Sequence, residues 1–231
     1  MIKKITRILL KIILWFFGST FAVVCIYRFI PPPLTPLMII RVFEQAADEK
    51  RDVRLTKDWV SLDEMSPSMP LAVITSEDQK FEEHYGFDLE AIEKAQKYND
   101  RHKGKKVKGA STISQQTAKN VFLWPQRSYV RKAFEVYFTS LIELLWSKER
   151  IIEVYLNVIE MGDGIYGAEA ASQEYFKKPV SDINNAQAAL IAACLPNPIR
   201  WSPAKPTAYI KRKQSWIIRH MRMAETPEFN K

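Results

Sequence analysis

The chain is poor in cysteine and glycine. Its 231 residues include two cysteines, Cys25 and Cys194, and seven glycines. Each cysteine lies in an apolar run and no metal-ligand spacing is present, so we predict two buried thiols, no disulfide and no metal site. Two such cysteines do not indicate whether the protein lies in a reducing or an oxidising cellular compartment. No internal repeat is visible, and the 47% hydrophobic and 12% aromatic content is typical of a globular chain with an ample core.

Acidic residues are absent from the first 30 positions, which carry five cations. The formal net charge of the whole chain is +8, so residues 31–231 carry only +3. A nucleic-acid-binding domain needs a basic face on the folded domain itself. The charge distribution therefore predicts no nucleic-acid partner.

The longest hydrophobic run extends from Ile8 to Tyr27. A helix of about 20 such residues can cross a bilayer, and Lys11 can extend its ammonium to the interface. More cations precede the run than follow it, which places the N-terminus in the cytoplasm. A cleaved signal peptide is the alternative, but the run is long for one and no Ala-x-Ala-like site follows. We predict an uncleaved single-pass anchor in residues 1–30, with the rest of the chain outside the cytoplasm.

Residues 31–60 read as a spacer that begins with Pro31, Pro32 and Pro33, a sequence that cannot continue a helix. An apolar patch from Leu37 to Phe43 follows, for which core packing and membrane contact are both open. Residues 61–231 form the predicted folded domain, in which little reads as strand. A basic loop is expected from Arg101 to Lys108.

Helical patterns dominate this domain, so the predicted fold class is all-α. Ser128 and Ser147 are plausible N-caps of two helices. The first of these should bury a face formed by Val130, Phe134, Tyr137, Leu141 and Leu144/Leu145. Three further helices are predicted over residues 112–122, 186–195 and 208–223.

A carboxylate pair, Glu77-Asp78, follows the apolar run Leu71–Ile74. A carboxyl group at the edge of an apolar wall can act as a general base or acid. A solvated acidic turn is the alternative. Other polar blocks further along the chain favour the catalytic interpretation.

Three such blocks follow. Residues 109–120 place a glycine, hydroxyls, amides and a lysine at a helix start, where free backbone N–H groups suit anions and sugar hydroxyls. Arg131 and Glu135 are four residues apart, which predicts an ion pair on a helix surface. Residues 155–176 combine a helix, a glycine-rich turn and a small-residue helix, and we interpret this block as structural.

In this order the blocks resemble the peptidoglycan glycosyltransferase family, closest to its monofunctional biosynthetic branch. Five family motifs lie between about residues 71 and 203, and no motif residue is replaced. They are Glu77-Asp78 through Gly86, Gly109 through Asn120, Arg131-Lys132 with Glu135, Lys148 through Asn157 with the following glycines, and Ala188 through Pro198. We expect no penicillin-binding transpeptidase domain after residue 231.

The resemblance implies a lysozyme-like α-helical domain that polymerises lipid II into β-1,4-linked glycan strands. The implied reaction inverts the donor's anomeric carbon and releases undecaprenyl diphosphate. The implied partners are lipid II, the growing strand, the bacterial inner membrane and other cell-wall synthesis proteins. No cofactor is required, although two acids and a diphosphate could hold a divalent cation. A lysozyme-like glycan-cleaving enzyme and a non-catalytic membrane-tethered scaffold are the alternatives.

The resemblance also implies roles for individual residues. Glu77 is the general base on the acceptor's 4-hydroxyl, and Glu135 is the second acid, near the donor diphosphate. The other implied site residues are the diphosphate-contacting Lys119 and Lys132, the donor-site groups Ser111, Gln116 and Asn120, the bracing Arg131, and the supporting Asp78 and His84. Of these, His84 is expected to be structural.

Overall fold

The computed structural model describes residues 2–49, 51–102 and 107–224. Within these residues it contains ten α-helices and three short strands. The helices are α1 (Ile2–Tyr27), α2 (Pro36–Ala46), α3 (Ser68–Glu77), α4 (Leu89–Arg101), α5 (Ile113–Phe122), α6 (Tyr129–Leu145), α7 (Lys148–Val158), α8 (Ala168–Phe176), α9 (Asn185–Cys194) and α10 (Ala208–Met221). The predicted all-α class is confirmed. Residues 103–106 of the predicted basic loop lie outside the described part.

One small sheet accompanies the helices. Its strands are β1 (Thr56–Lys57), β2 (Glu160–Gly162) and β3 (Ile165–Tyr166), in the order β1-β3-β2. Strand β3 pairs parallel to β1 and antiparallel to β2. The sequence did not predict this sheet, because strands of two or three residues are too short to show an alternating pattern.

The helix starts follow from local capping. Ser128 accepts the backbone N–H of Arg131, and Ser147 accepts that of Arg150, so both predicted N-caps are confirmed. Thr112 and Gln115 form a reciprocal capping box at the start of α5. These bonds satisfy N–H groups that the first turn of a helix leaves free.

The face predicted for α6 is confirmed for Phe134, Tyr137, Leu141 and Leu145, which are partly buried against the core, and is wrong for its other two members. Val130 and Leu144 are exposed, whereas Phe138, Thr139 and Ile142 are buried in line with Arg131 and Glu135. The buried stripe of α6 therefore includes two charged side chains. Hydrophobic patterning assigns charged residues to solvent, so the predicted face did not include Arg131 and Glu135.

Two helical groups make up the core. Helix α3 packs against α9 and α10, while α5 packs against both α6 and α7. Fully buried side chains at their centre include Phe81, Ile113 and Tyr155. Both cysteines are free thiols, with Cys194 buried and Cys25 partly buried.

Helix α1 is long and apolar enough to cross a membrane from Lys3 to Tyr27, with a mean hydropathy of 2.2. Its last turns pack onto the domain. The indole Nε1 of Trp146 donates to the carbonyl of Val24 at 2.8 Å, and the Arg150 guanidinium donates to the carbonyl of Tyr27 at 2.9 Å. Val24 itself is fully buried. The C-terminal end of the apolar helix is thus joined directly to α6 and α7.

Helix α2 divides the predicted apolar patch between two environments. Leu37 and Met38 are buried in the domain, which confirms core packing for that side. Ile39 and Phe43 are exposed. Contact of these two side chains with a membrane stays a prediction.

The turn between β3 and α8 requires glycine. Gly167 has φ +85° and ψ 163°, a backbone region used almost only by glycine. A Cβ there would lie 2.9 Å from the carbonyl oxygen of Asn157. The buried Asn157 side chain in turn bonds both the N–H and the carbonyl of Val60. The absence of a side chain at Gly167 therefore lets the turn lie close against the end of α7.

We expect Gly167→Ala to lower the free energy of unfolding by about 1–3 kcal/mol from backbone strain, with a further loss from the close contact. Gly109→Ala is the matched control, because a Cβ at Gly109 meets no atom of the described residues within 4 Å. Chemical denaturation of both variants in detergent measures the difference. Equal stability of the two would contradict the proposed constraint at Gly167.

Candidate active site

The carboxylate pair lies where α3 ends. Glu77 is the last residue of α3 and Asp78 is its C-cap. The preceding helix is anchored in the core by Ala72, Val73 and Ile74. The Glu77 side chain is 13% exposed and that of Asp78 is buried. A solvated acidic turn, the alternative from sequence, is therefore wrong.

Asp78 and His84, the two predicted supporting residues, lie together. Asp78 Oδ1 is 2.9 Å from His84 Nε2. The second oxygen, Oδ2, accepts the backbone N–H of Ile113 at 2.9 Å. Asp78 thus binds the first residue of α5, where the helix dipole favours a negative charge. This bond joins the end of α3 to the start of α5.

Glu77 contacts groups from two other helices. Its Oε2 accepts a hydrogen bond from Gln116 Nε2 at 3.1 Å, and its Oε1 lies 3.9 Å from Lys213 Nζ. Lys213 belongs to α10 and was not predicted as a site residue. Burial lowers the pKa of Lys213 from its ordinary value, while Glu77 and Cys194 act in the opposite direction. The sequence signal for Lys213 is weak, since it stands among other cations.

Glu135 is bonded by two cations of its own helix. Arg131 Nη1 lies 2.5 Å from Glu135 Oε2, and Lys132 Nζ lies 2.5 Å from Oε1. Glu135 is 3% exposed and Arg131 is 9% exposed. The ion pair is buried, so its predicted place on a helix surface is wrong. A buried carboxylate needs such partners, because its desolvation is costly.

A cavity of about 860 Å³ lies over this cluster. Its described lining includes four cations and one carboxylate. The predicted site residues that line it are Ser111, Gln116, Lys119, Arg131, Lys132 and Glu135. Arg127 completes the charged lining and was missed, although it stands directly before the Ser128 cap of α6.

Lys119 lines this cavity from α5 and is partly buried. Burial lowers the pKa of its ammonium, and Glu135 partly offsets that effect. Arg131, Lys132 and Arg127 lower it further, because like charges disfavour the protonated form. The cavity is therefore an electropositive site suited to an anion.

A second cavity of about 250 Å³ adjoins the first. Gln116 and Lys119 line both cavities, and Glu77 and Asn120 line only the smaller one. Asn120 also donates to the backbone carbonyl of Gln116 at 2.8 Å, so its amide is partly occupied within α5. The structure thus brings the predicted catalytic and substrate-binding residues to two adjoining cavities, with the two glutamates in different ones, while the supporting Asp78 and His84 line neither.

Arg41 and Glu160 also line the smaller cavity, and sequence analysis did not single them out as site residues. Their side chains pair at 3.3 Å between Nε and Oε2. Burial raises the pKa of Glu160, and the charge of Arg41 opposes that shift. Their partnership spans 119 positions of the chain, which no local pattern reveals.

The arrangement can perform two chemical tasks side by side. A partly buried carboxylate can accept a proton, and the neighbouring cations can stabilise a negative charge that develops on a leaving group. Across the described residues, no group of three His, Cys, Asp or Glu side chains is placed to hold a metal ion. The protein groups present therefore suit acid–base chemistry on an anionic substrate.

The sequence matches the family described as transglycosylase over residues 44–222. The chain is 56% identical over 229 residues to a biosynthetic peptidoglycan transglycosylase of Bacteroides thetaiotaomicron, covering 99% of this chain and 90% of the relative. A protein of the same name from Bdellovibrio bacteriovorus is 56% identical, with coverage of 94% and 85%. One from Pseudomonas syringae pv. syringae is 47% identical, with coverage of 99% and 96%. With its match over most of its length, this chain belongs to the transglycosylase family.

Proposed function

We propose that the chain is a peptidoglycan glycosyltransferase that polymerises lipid II into β-1,4-linked glycan strands. The observation that carries the proposal is the position of Glu77, a poorly exposed carboxylate in a cavity that adjoins a cation-lined cavity. The names of the relatives support the same activity. Polymerisation of purified lipid II by the full chain in bilayers is the direct test.

In the proposed reaction, Glu77 takes the proton from the 4-hydroxyl of the acceptor sugar. That oxygen forms a bond to the anomeric carbon of the donor as the bond from this carbon to the diphosphate oxygen breaks. The electron pair of the broken bond leaves with undecaprenyl diphosphate. Attack from the opposite face inverts the carbon, so an α-linked diphosphate becomes a β-1,4 bond. A positioned base contributes roughly 10²–10⁴-fold to such a step.

The cation-lined cavity is proposed to hold the donor diphosphate. Lys119, Arg127, Arg131 and Lys132 line it, so charge that gathers on the leaving group would be stabilised as the bond breaks. Ser111 stands at the same cavity and could bond the diphosphate or the adjacent sugar. The smaller cavity beside Glu77 would receive the acceptor.

Glu135 is proposed to act through its cations. Both of its oxygens are bonded, one to Arg131 and one to Lys132, so it orients these two groups toward the cavity. A divalent cation fits this donor set poorly, because the only carboxylate among the described residues lining the cavity already has two cationic partners. The proposed reaction is therefore written with the protein's own cations at the diphosphate.

Membrane attachment is part of the proposal. Helix α1 would anchor the enzyme in the bacterial inner membrane, with its N-terminus in the cytoplasm and the domain on the other side. A lipid-linked substrate diffuses in that same membrane, so the anchor brings enzyme and substrate together. Association with other cell-wall synthesis proteins stays a prediction.

Glu77→Gln should reduce lipid II polymerisation by at least about 10²-fold, because an amide cannot accept the proton. The thermal midpoint should change little, since the two side chains have nearly the same shape. Glu82→Gln, an exposed position on the turn after α3, is the matched control and should retain full activity. Near wild-type strand growth by Glu77→Gln would refute the role of Glu77 as the base.

Lys119→Ala should lower kcat/KM for lipid II by about 10–100-fold, because it removes a charged partner of the diphosphate. Since burial lowers the pKa of Lys119, its ammonium loses the proton earlier as pH rises. The alkaline fall in kcat/KM should therefore move to higher pH in Lys119→Arg. The exposed Lys211→Ala is the control. An unchanged alkaline limb in Lys119→Arg would count against a charged Lys119 at the diphosphate.

Val23→Asp should disfavour membrane insertion of α1 by about 2.5–3.5 kcal/mol. Val23 is 38% exposed and lies within the apolar stretch of α1, so the new carboxylate would stand inside the predicted span. We expect the protein to move from the membrane fraction to the soluble or degraded fraction after cell fractionation. Val53→Asp, an exposed position outside α1, is the control. Wild-type membrane recovery of Val23→Asp would argue that α1 is not the anchor.

A further inference from the structure

A chain of two hydrogen bonds joins the protein core to the carboxylate of Glu77. Tyr155, on α7, is fully buried, and its hydroxyl donates to Gln116 Oε1 at 3.2 Å. The same amide donates from Nε2 to Glu77 Oε2 at 3.1 Å. Three helices, α7, α5 and α3, each contribute one side chain to this chain of bonds.

We infer that Tyr155 is a positioning residue, whose hydroxyl fixes the orientation of the Gln116 amide and thereby reserves Glu77 Oε1 as the oxygen that accepts the proton. The inference rests on the proposed function, because it assigns the atoms of the same base. The inference changes the roles expected for two residues. Gln116 was expected to contact the donor, and Tyr155 belonged to a block interpreted as structural.

The orientation of the amide matters because its two ends have nearly the same shape and opposite hydrogen-bonding roles. In the flipped orientation, the Gln116 carbonyl would face the Glu77 carboxylate, and two acceptors would repel each other. The hydroxyl of Tyr155 selects against that orientation, since it needs an acceptor. Burial raises the pKa of Tyr155 well above its ordinary value, with Glu77 and Asp78 adding to the shift, so the hydroxyl stays a donor.

The surroundings of Glu77 leave its Oε1 available. Ser76 Oγ lies 3.4 Å from Oε1, a long hydrogen bond, and Lys213 Nζ lies beyond hydrogen-bond range at 3.9 Å. The titratable and charged groups that face Glu77 or its cavity are Asp78, Lys119, Tyr155, Lys213, Arg41 and Glu160. Only the neutral amide of Gln116 holds Oε2, so the geometry distinguishes the two oxygens.

The test is a double-mutant cycle with Tyr155→Phe and Gln116→Ala in the lipid II polymerisation assay. Tyr155→Phe should lower kcat roughly two- to tenfold with KM unchanged, which is the effect of one lost hydrogen bond. In the Gln116→Ala background the same substitution should have no further effect, because the amide it orients is gone. A purely structural Tyr155 would slow both backgrounds equally, and that result would overturn the inference.

Tyr166→Phe is the matched control. Tyr166 is also fully buried, but its hydroxyl has no hydrogen-bond partner in the described part of the chain. Removing that hydroxyl should leave kcat unchanged. A loss equal to that of Tyr155→Phe would show that any buried hydroxyl matters, and would overturn the inference.

The pH profile supplies a second readout. When the amide can turn, its carbonyl disfavours the charged form of Glu77, so the acidic fall in kcat should move to higher pH in Tyr155→Phe. Gln116→Ala, at a half-buried position, removes the donor to Glu77 without adding a charge. It should move the acidic fall in the same direction even if Tyr155→Phe does not fold. An unmoved acidic limb in Gln116→Ala would overturn the inference.

Two failures remain distinguishable. If the wild-type chain makes no glycan strands from lipid II, the proposed function is wrong, and the inference about Glu77 falls with it. If the wild-type chain makes strands and Tyr155→Phe acts equally in both backgrounds, only the positioning role is wrong.

Discussion

The bond between Asp78 and the start of α5 is the constraint on which the rest of the site depends. Asp78 accepts the N–H of Ile113 and contacts His84, so the end of α3 is held against a helix start. Glu77 is the neighbouring residue and is therefore placed beside Gln116, one turn into α5. A charged group satisfies a free helix N–H here, and the proposed catalytic carboxylate, Glu77, gains its position from that bond.

Charge balance explains why charged side chains occupy the buried face of α6. Glu135 is buried with Arg131 and Lys132 as its partners, and the three together carry a net positive charge toward the larger cavity. Replacing one partner alone would leave an uncompensated buried charge. The three side chains thus compensate one another's charge and also line the larger cavity, where we propose that the donor diphosphate binds. These two roles account for the presence of charged residues among the buried residues of α6.

The apolar α1 helix and the domain are joined through α6 and α7. Thr20 Oγ1 and the Tyr137 hydroxyl lie 2.9 Å apart, and the rings of Phe16 and Phe134 are in contact at 5.6 Å between centroids. Helix α6 therefore presents Glu135 to one cavity and aromatic side chains to α1. A lipid-linked diphosphate would meet both features on one helix. The family match agrees with the lysozyme-like helical domain expected from the resemblance.

The sequence by itself determined the helical class, the apolar first helix, the N-caps at Ser128 and Ser147, and the family. These features depend on local residue patterns or on the order of motifs, and both can be read directly from the linear sequence. Only the tertiary structure showed that Glu135 is buried, that Lys213 approaches Glu77, and that Tyr155 reaches Gln116. The two contacts join residues from different helices, and the burial of Glu135 places a charge where hydrophobic patterning predicts an apolar residue. Such relations are decided by packing, because no local pattern encodes which distant side chain will satisfy a buried polar group.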